Sequence, residues 1–383
     1  MLAPITAKVT HDFLRPFLKR ITRPQGKALL IFIKGITEGE SSVLSQIGRM
    51  VQKRIMPKTV CEKLGRNLEK IDSIKLRPLI LAPKEGWEFI IVDSLDIQKP
   101  YSRTLPWVHP IRDGSTGNLY GKGAGIYGVI GKHETEGYIP LALSRYEEEK
   151  LDFYEMVDLI LSTLSPAHGG LWILDRGFDD IKVLTKFLDS EQEFLVRMDR
   201  AGSDRLLVVA DGEKHKVSTL LAHFEGEEIG YRIVTLPGRE EKLALIHYQH
   251  RKHGQGLALL TTRIPKTKKQ AVRIAKLYLK RWKIEDFIRF IKQRFGLEKL
   301  MVQIEERVDG LLTGVLIAAS LVMKLMQNIP KEMEADYKVF LRKNRAKKCW
   351  SSFARFLSDC FSEWTLVFRT YVPPEKPLSL APF

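Results

Sequence analysis

The chain has 383 residues, 44% of them hydrophobic, which is enough for one large core with one or two satellite domains and excludes a disordered or fibrous chain. Sixty-two Lys and Arg against 46 Asp and Glu give a net charge of +16, as expected of a protein that binds a phosphate backbone. The 3 cysteines lack CxxC spacing, so they indicate a reducing compartment rather than a disulfide framework.

The amino-terminal region has no signal-peptide pattern, and residues 1–80 show helical periodicity with many Lys and Arg. We predict a separate helical domain here that binds DNA ends. Two short amphipathic segments, residues 41–51 and 58–71, fit a helix-turn-helix. A plain helical packing domain is the alternative interpretation.

An apolar run at residues 88–93 ends in Asp93, as a buried central strand would. The loop that follows is broken by Pro and Gly, and it leads to a Gly-rich stretch at residues 121–131. This stretch lacks the Gly-Lys-Ser/Thr ending of a phosphate-binding loop, so it predicts close-packed strands. A further strand at residues 138–144 and a helix at residues 147–164 are predicted to follow.

The same pattern recurs at residues 171–178, where a second apolar strand ends in Asp175 and a helix is predicted to follow. If the two strands are neighbours, both Asp side chains lie at one edge of the sheet. Asp96, three residues after Asp93, is the alternative first carboxylate. Asp93 is favoured because it directly closes the apolar run.

Residues 194–262 alternate in short runs separated by turns, which predicts a β-rich insertion. His247, His250 and His253 in this segment have a spacing that would suit a zinc-binding helix. The residues before them form a strand pattern and no cysteine accompanies them. We therefore favour a basic hairpin tip that contacts phosphate.

Residues 268–296 are predicted to form one basic amphipathic helix. Four of its polar residues, spaced by 3, 4 and 7 positions, fall within about 60° of arc beside an apolar stripe. These four are Tyr278, Arg281, Glu285 and Lys292. A solvated face with ion pairs is the ordinary interpretation of such a pattern. The two strand-end aspartates elsewhere in the chain favour a functional one.

Asp93, Asp175 and Glu285 form the set of carboxylates that metal-dependent phosphoryl transfer needs. Cleaving a phosphodiester requires an activated water and neutralisation of charge, which two Mg²⁺ or Mn²⁺ ions about 4 Å apart supply. Such hard cations prefer oxygen ligands. We predict that Asp93 bridges both ions and that Asp175 and Glu285 each bind one.

Three motifs carry a resemblance to a known family: IIVDSLDIQKPYS around Asp93, WILDRGF around Asp175, and the Tyr278-x2-Arg281-x3-Glu285-x6-Lys292 signature. Together they resemble a DDE transposase of the insertion-sequence-four family of bacterial mobile elements, over roughly residues 87–300. The resemblance implies a ribonuclease H-like fold with a β-rich insertion before the glutamate helix. It also implies that the three carboxylates bind metal and that Tyr278, Arg281 and Lys292 contact transposon-end DNA near the scissile phosphate.

The expected fold class is therefore α/β, with a ribonuclease H-like catalytic domain of mixed sheet and flanking helices at residues 85–330. A helical domain at residues 1–80 precedes it, and a helical C-terminal region at residues 331–383 follows, with dimerisation as a candidate role. The apolar run at residues 311–323 is shorter than the roughly 18 residues of a membrane span, so we predict a buried helix and no membrane partner.

The predicted function is DNA transposition. The protein would bind the terminal inverted repeats of an insertion sequence in double-stranded DNA, cleave at the element ends and join the 3′-hydroxyl to target DNA. The resemblance implies a synaptic homodimer in the nucleoid-associated cytoplasm of a bacterium, and it leaves a hairpin step on the excised end open. A retired transposase that only binds DNA and a metal-dependent nuclease of the same fold are the alternatives.

Overall fold

The fold is that of a computed structural model, which describes residues 2–39, 41–51, 57–71, 76, 85–112, 119–146, 153–164, 170–198, 205–249, 256–329 and 331–360. Helices precede, flank and follow a central sheet. They are α1 (Leu2–Leu18), α2 (Arg23–Gly39), α3 (Leu44–Val51), α4 (Pro57–Leu68), α5 (Phe153–Leu164), α6 (Ile181–Asp189), α7 (Val217–Ala222), α8 (Lys268–Tyr278), α9 (Trp282–Arg294), α10 (Glu305–Gln327), α11 (Lys331–Lys343) and α12 (Trp350–Cys360).

The first six strands form a mixed sheet. They are β1 (Trp87–Gln98), β2 (His109–Arg112), β3 (Leu119–His133), β4 (Gly137–Tyr146), β5 (Leu171–Leu174) and β6 (Phe194–Arg197). β3 pairs antiparallel with β1 on one side and with β2 and β4 on the other, whereas β1, β5 and β6 run parallel. This mixed arrangement is consistent with a ribonuclease H-like core.

The β-rich segment extends the same sheet to nine strands. It contains β7 (Leu206–Val208), β8 (Lys214–Lys216), β9 (Ile229–Val234), β10 (Leu243–Tyr248) and β11 (Leu257–Thr261). β11 pairs antiparallel with β6, and β10 and β9 follow in antiparallel order, while β7 and β8 form a separate hairpin. β6, at which the predicted insertion starts, pairs in parallel with β5.

Helices cover both faces of the sheet, because the side chains of β1 are apolar on both of its faces. Ile90 and Val92 join a hydrophobic cluster with α5 and α6. Phe89 and Ile91 join a second cluster with α9 and α10 on the opposite face. Successive side chains of a strand point to opposite faces, so a run that is apolar at every position requires cover on both sides.

α10 is the axis of the helical part of the fold: α1, α2, α4 and α12 all pack against it. Gly310 permits the approach of α4, since a Cβ at this position would lie 2.1 Å from the carbonyl oxygen of Leu68. Arg307 and Glu69 form an ion pair of 2.8 Å across the same contact. The amino-terminal helices thus share one hydrophobic cluster with α9 and α10. The domain boundary at residue 80 stays a prediction.

α10 contains the apolar run at residues 311–323. Among the described residues, it is the one helix whose length and composition suffice for a membrane span. In its most apolar 18-residue window, 89% of the residues are buried inside the fold, as in the core helix that the sequence predicts.

Candidate active site

Asp93 of β1 and Asp175, the residue directly after β5, lie side by side where these two parallel strands stop pairing. Ile91 of β1 pairs with Ile173 of β5, and each aspartate is the second residue beyond that pair. Because the strands are in register up to this pair, the two aspartates lie level with each other just beyond it. Both side chains leave the sheet on the face of Ile91 and Ile173, which is the face that α9 covers.

The prediction that Asp93 closes its strand was wrong. β1 runs on to Gln98 because its antiparallel pairing with β3 continues to Gly123, whereas its parallel pairing with β5 ends at Ile91. Asp93 therefore lies at the point where β1 continues beyond β5. Asp96 is three residues further along a regular strand, so its side chain points to the opposite face from Asp93 and α9.

Glu285 comes from α9, and the prediction of one helix over residues 268–296 was wrong. α8 begins after Thr267, whose hydroxyl accepts a hydrogen bond from the backbone N–H of Gln270, and it ends at Tyr278. A 3₁₀ turn at Leu279–Arg281 leads into α9. Neither Gly nor Pro lies in this turn, so residue preference does not reveal it. Tyr278, which precedes the turn, and Arg281, its last residue, make the contacts that hold the site together.

Arg281 connects the three carboxylates. Its Nη1 donates to Asp93 Oδ2 at 3.1 Å, and its Nη2 donates to Glu285 Oε1 at 2.6 Å. Its Nε lies 3.7 Å from Asp175 Oδ1. Nitrogen atoms of one guanidinium are only about 2.3 Å apart, so the Asp93 and Glu285 oxygens are at most about 8 Å apart. Three side chains from distant parts of the chain therefore meet around one cation.

Tyr278 and Lys292 fix the elements that carry these carboxylates. The Tyr278 hydroxyl donates to Asp175 Oδ1 at 3.2 Å. Lys292 Nζ donates to the carbonyl oxygen of Asp96 at 2.8 Å and lies 2.9 Å from Glu298 Oε1. Tyr278 thereby joins α8 to the end of β5, and Lys292 joins α9 to β1. All four residues of the predicted polar face contact the sheet edge or one another.

Burial and neighbouring charge perturb the groups at the centre of the site. Burial raises the pKa of Asp93 to about 6; the charge of Arg281 opposes this rise and that of Asp175 adds to it. Burial also raises the pKa of Tyr278, with a further contribution from Asp175, so the phenol stays a neutral donor. Burial works against the Arg281 charge, but Asp175, Asp93 and Glu285 outweigh it and raise the pKa of Arg281.

The donor set fits divalent cations. With all three carboxylates ionised, the single guanidinium leaves two negative charges without a partner. Carboxylate oxygens are the ligands that Mg²⁺ and Mn²⁺ prefer. Two ions about 4 Å apart, each about 2.1 Å from its oxygens, can be held by carboxylates up to about 8 Å apart. The Asp93 and Glu285 oxygens, which are at most about 8 Å apart, meet that limit.

Two other groups of potential ligands do not form such a site. Within the described ranges, one compact cluster of possible metal ligands lies on the β7–β8 hairpin. It consists of Asp211, Glu213 and His215, whose ligand atoms all lie within 4.8 Å of one another. Both carboxylates there are exposed, as is common without a metal. His247 is buried, stacks on Phe224 and contacts the carbonyl oxygen of Glu227 at 3.1 Å. His250 and His253 lie outside the described residues.

The feature that sequence reasoning missed is the position of the predicted DNA-binding residues. Tyr278, Arg281 and Lys292 all have protein partners here, and the side chain of Arg281 is only 11% exposed. The sequence contained one signal of this arrangement, because Arg281 and Glu285 are four residues apart, the spacing of an ion pair on a helix.

Three carboxylates that meet at one edge of this mixed sheet form the class of site that the resemblance to DDE transposases implies. The sequence model of the family described as Transposase DDE domain matches residues 88–321, more than half of the chain. The chain belongs to this family. Membership implies a transposase, an enzyme that cuts and joins DNA, and transposase domains of this kind generally use divalent metals. No curated protein matches the chain.

Proposed function

We propose that this chain is a transposase of the insertion-sequence-four family that binds the terminal inverted repeats of its element, cleaves the element ends and joins the freed 3′-hydroxyl to target DNA. The observation that supports this most directly is the contact of one guanidinium with Asp93, Asp175 and Glu285. These residues come from β1, from the end of β5 and from α9, and no ordinary packing requirement brings three carboxylates together at one point.

Asp93, Asp175 and Glu285 would hold two Mg²⁺ or Mn²⁺ ions, with Asp93 as the shared ligand. When bound, such ions activate the attacking water or hydroxyl and neutralise charge on the phosphoryl group. The raised pKa of Asp93 supports this role, since a buried carboxylate without enough positive charge around it favours the protonated form.

The residues around the carboxylates would position both the ligands and the DNA. Tyr278 orients Asp175 through its hydroxyl, and Lys292 holds α9 against β1. Arg281 presents a planar fork that matches a phosphate as well as a carboxylate. With divalent cations on the carboxylates, its guanidinium would be available to the phosphate next to the scissile bond.

The remaining parts of the proposal concern recognition and assembly. The helices of residues 1–80 would bind the DNA ends, and the protein would act as a homodimer that holds two ends together, with the C-terminal region as a candidate contact. The sequence motifs support these parts, together with the net charge of +16. We place the protein in the bacterial cytoplasm, near the nucleoid.

The test is incubation of the purified chain with duplex DNA that carries the ends of its element, with Mg²⁺ or with EDTA. We expect Mg²⁺-dependent cleavage followed by strand transfer. Glu285→Gln removes one ligand charge with little change of shape, so it should abolish cleavage and preserve binding to the ends. Asp286→Asn is the matched control, because Asp286 is the neighbouring residue and pairs with Lys283 and Arg289 instead.

Each other outcome identifies a different protein. Cleavage without strand transfer would indicate a nuclease of the same fold, and binding without cleavage would indicate a retired transposase. Undiminished cleavage by Glu285→Gln would contradict the role of Glu285 as a ligand.

A further inference from the structure

DNA that reaches this site needs more phosphate contacts than the site residues offer. Tyr278, Arg281 and Lys292 are engaged with Asp175, with the carboxylates and with β1, respectively. A DNA-binding surface usually spreads its positive charge over several phosphates, which supplies most of the affinity that does not depend on sequence. The net charge of +16 shows that cations are abundant elsewhere in the chain.

Four of these cations form one exposed line along α8 and the 3₁₀ turn that follows it, which together lead into the site. Lys269, Arg273, Lys276 and Lys280 are spaced by 4, 3 and 4 residues, and all four are exposed. We call them the α8 stripe. The opposite side of α8 is buried against the sheet through Ala271, Ile274, Ala275 and Tyr278. Packing of the helix therefore fixes the stripe toward solvent.

The four cations of the α8 stripe are not paired with carboxylates among the described residues. In the part of the chain that the structure describes, none of its four side chains makes an ion pair or a hydrogen bond. Neighbouring cations do: Lys268 lies 2.6 Å from Glu227, and Lys283 lies 3.0 Å from Asp286. Like charges three and four residues apart on a helix repel each other, so the stripe does not stabilise α8. An anionic partner would offset this repulsion between the four side chains.

The size and position of the stripe fit a DNA backbone. Lys269 to Lys280 spans about 16 Å along the helix, which is the rise of about five base pairs along one strand. Lys280 directly precedes Arg281, so a strand that lies along the stripe leads to the carboxylates.

We propose that the α8 stripe binds the sugar-phosphate backbone of duplex DNA beside the scissile phosphate. This inference rests on the proposed function, and it adds a surface that contacts DNA outside the catalytic centre. The contact is with phosphates rather than bases, because four extended cations on a convex helix surface carry no arrangement of donors and acceptors that distinguishes base pairs.

The experiment measures binding of a fluorescent duplex of about 40 base pairs and arbitrary sequence, by anisotropy, in about 50 to 300 mM KCl without divalent cations. The variant K269Q/R273Q/K276Q/K280Q should bind about tenfold or more weakly at 150 mM salt. Its slope of log affinity against log salt should be lower by about 2 to 4, since each phosphate contact contributes about 0.9. The charge-retaining variant K269R/R273K/K276R/K280R should keep most of the affinity and the slope.

Two controls separate the stripe from general electrostatics. Lys268 is on the same helix, but its charge is already paired with Glu227. Lys268→Gln should therefore change the salt slope by less than the loss of one stripe charge does. R342Q/K343Q/K347Q/K348Q removes four exposed charges at the end of α11 and beyond. An equal loss of affinity and slope in this variant would overturn the proposal, because net charge alone would then explain the result.

Lysine acetylation followed by mass spectrometry gives a second measurement on the wild-type protein. The duplex should protect Lys269, Lys276 and Lys280 from acetylation more than Lys338, an exposed lysine paired with Glu334. Absence of protection would contradict the proposal. An unchanged salt slope in K269Q/R273Q/K276Q/K280Q, or a wild-type chain that does not bind the duplex, would also contradict it. Both measurements omit divalent cations, so failure of metal-dependent cleavage would refute the proposed function and leave this result standing.

Discussion

Replacing Arg281 with alanine removes the cation that the three carboxylates share. The side chains of Arg281 and Asp93 are 11% and 18% exposed, so water screens their attraction poorly. Removing one partner of a buried ion pair costs about 3–5 kcal/mol. Asp175 and Glu285 are 34% and 31% exposed, so water compensates them in part and the lower end of this range applies.

A loss of about 3 kcal/mol corresponds to a fall in Tm of about 3 to 6 °C for a chain of this size. The assay is thermal unfolding followed by circular dichroism at pH 8, in EDTA and then with MnCl₂. Mn²⁺ should raise the Tm of Arg281→Ala by more than that of the wild type, because no guanidinium then competes with the ion for the carboxylates.

Arg289→Ala is the matched control, since Arg289 pairs with Asp286 at 3.5 Å and is 56% exposed. Its Tm should fall by less than that of Arg281→Ala, because exposed pairs contribute about 0–1 kcal/mol. If Arg281→Ala matched the wild type both in Tm and in its response to Mn²⁺, the reasoning about a shared cation would be refuted.

Two further predictions concern stability. The pKa of Asp93 is about 6 in the folded chain against an ordinary value of 3.8, so the stability that the protonated group provides is fully present below pH 3.8 and is lost as the pH rises through 6. Asp93→Asn should therefore be more stable than the wild type at pH 8 without divalent cations, by up to about 3 kcal/mol. Urea unfolding at both pH values should show that this difference in stability is smaller at pH 5 than at pH 8. An advantage independent of pH would contradict it. Gly310→Ala should lower the free energy of unfolding in urea by about 1–3 kcal/mol, because the added Cβ meets the Leu68 carbonyl oxygen. Gly177→Ala, whose added Cβ meets nothing within 4 Å, should lower it by less. Equal losses would show that the contact between α4 and α10 is not tight.

The residues of the site could be predicted because strands and helices impose simple periods on the sequence. The apolar runs before Asp93 and Asp175 indicate two buried strands, and the helical spacing of Tyr278, Arg281 and Glu285 indicates one face of a helical segment. Parallel pairing of β1 with β5 then brings the two aspartates level.

The contacts within the site could not be predicted, because they depend on pairing between distant segments. The length of β1 is set by β3, whose Gly-rich strand pairs with it as far as Gln98. The 3₁₀ turn before α9 contains neither Gly nor Pro, and it coincides with the contacts of Tyr278 and Arg281 with the sheet edge. The antiparallel pairing of β11 with β6 likewise joins the β-rich segment to the sheet through residues more than sixty positions apart.

The central claim is that Asp93, Asp175 and Glu285 hold divalent cations, and iron-mediated cleavage of the chain tests it most directly. Fe²⁺ that replaces Mg²⁺ generates hydroxyl radicals in the presence of ascorbate and peroxide, and these radicals cut the backbone next to the bound ion. We predict cuts near residues 93, 175 and 285 that excess Mg²⁺ suppresses and that Glu285→Gln weakens. Cuts confined to the β7–β8 hairpin, where Asp211, Glu213 and His215 cluster, would contradict the account.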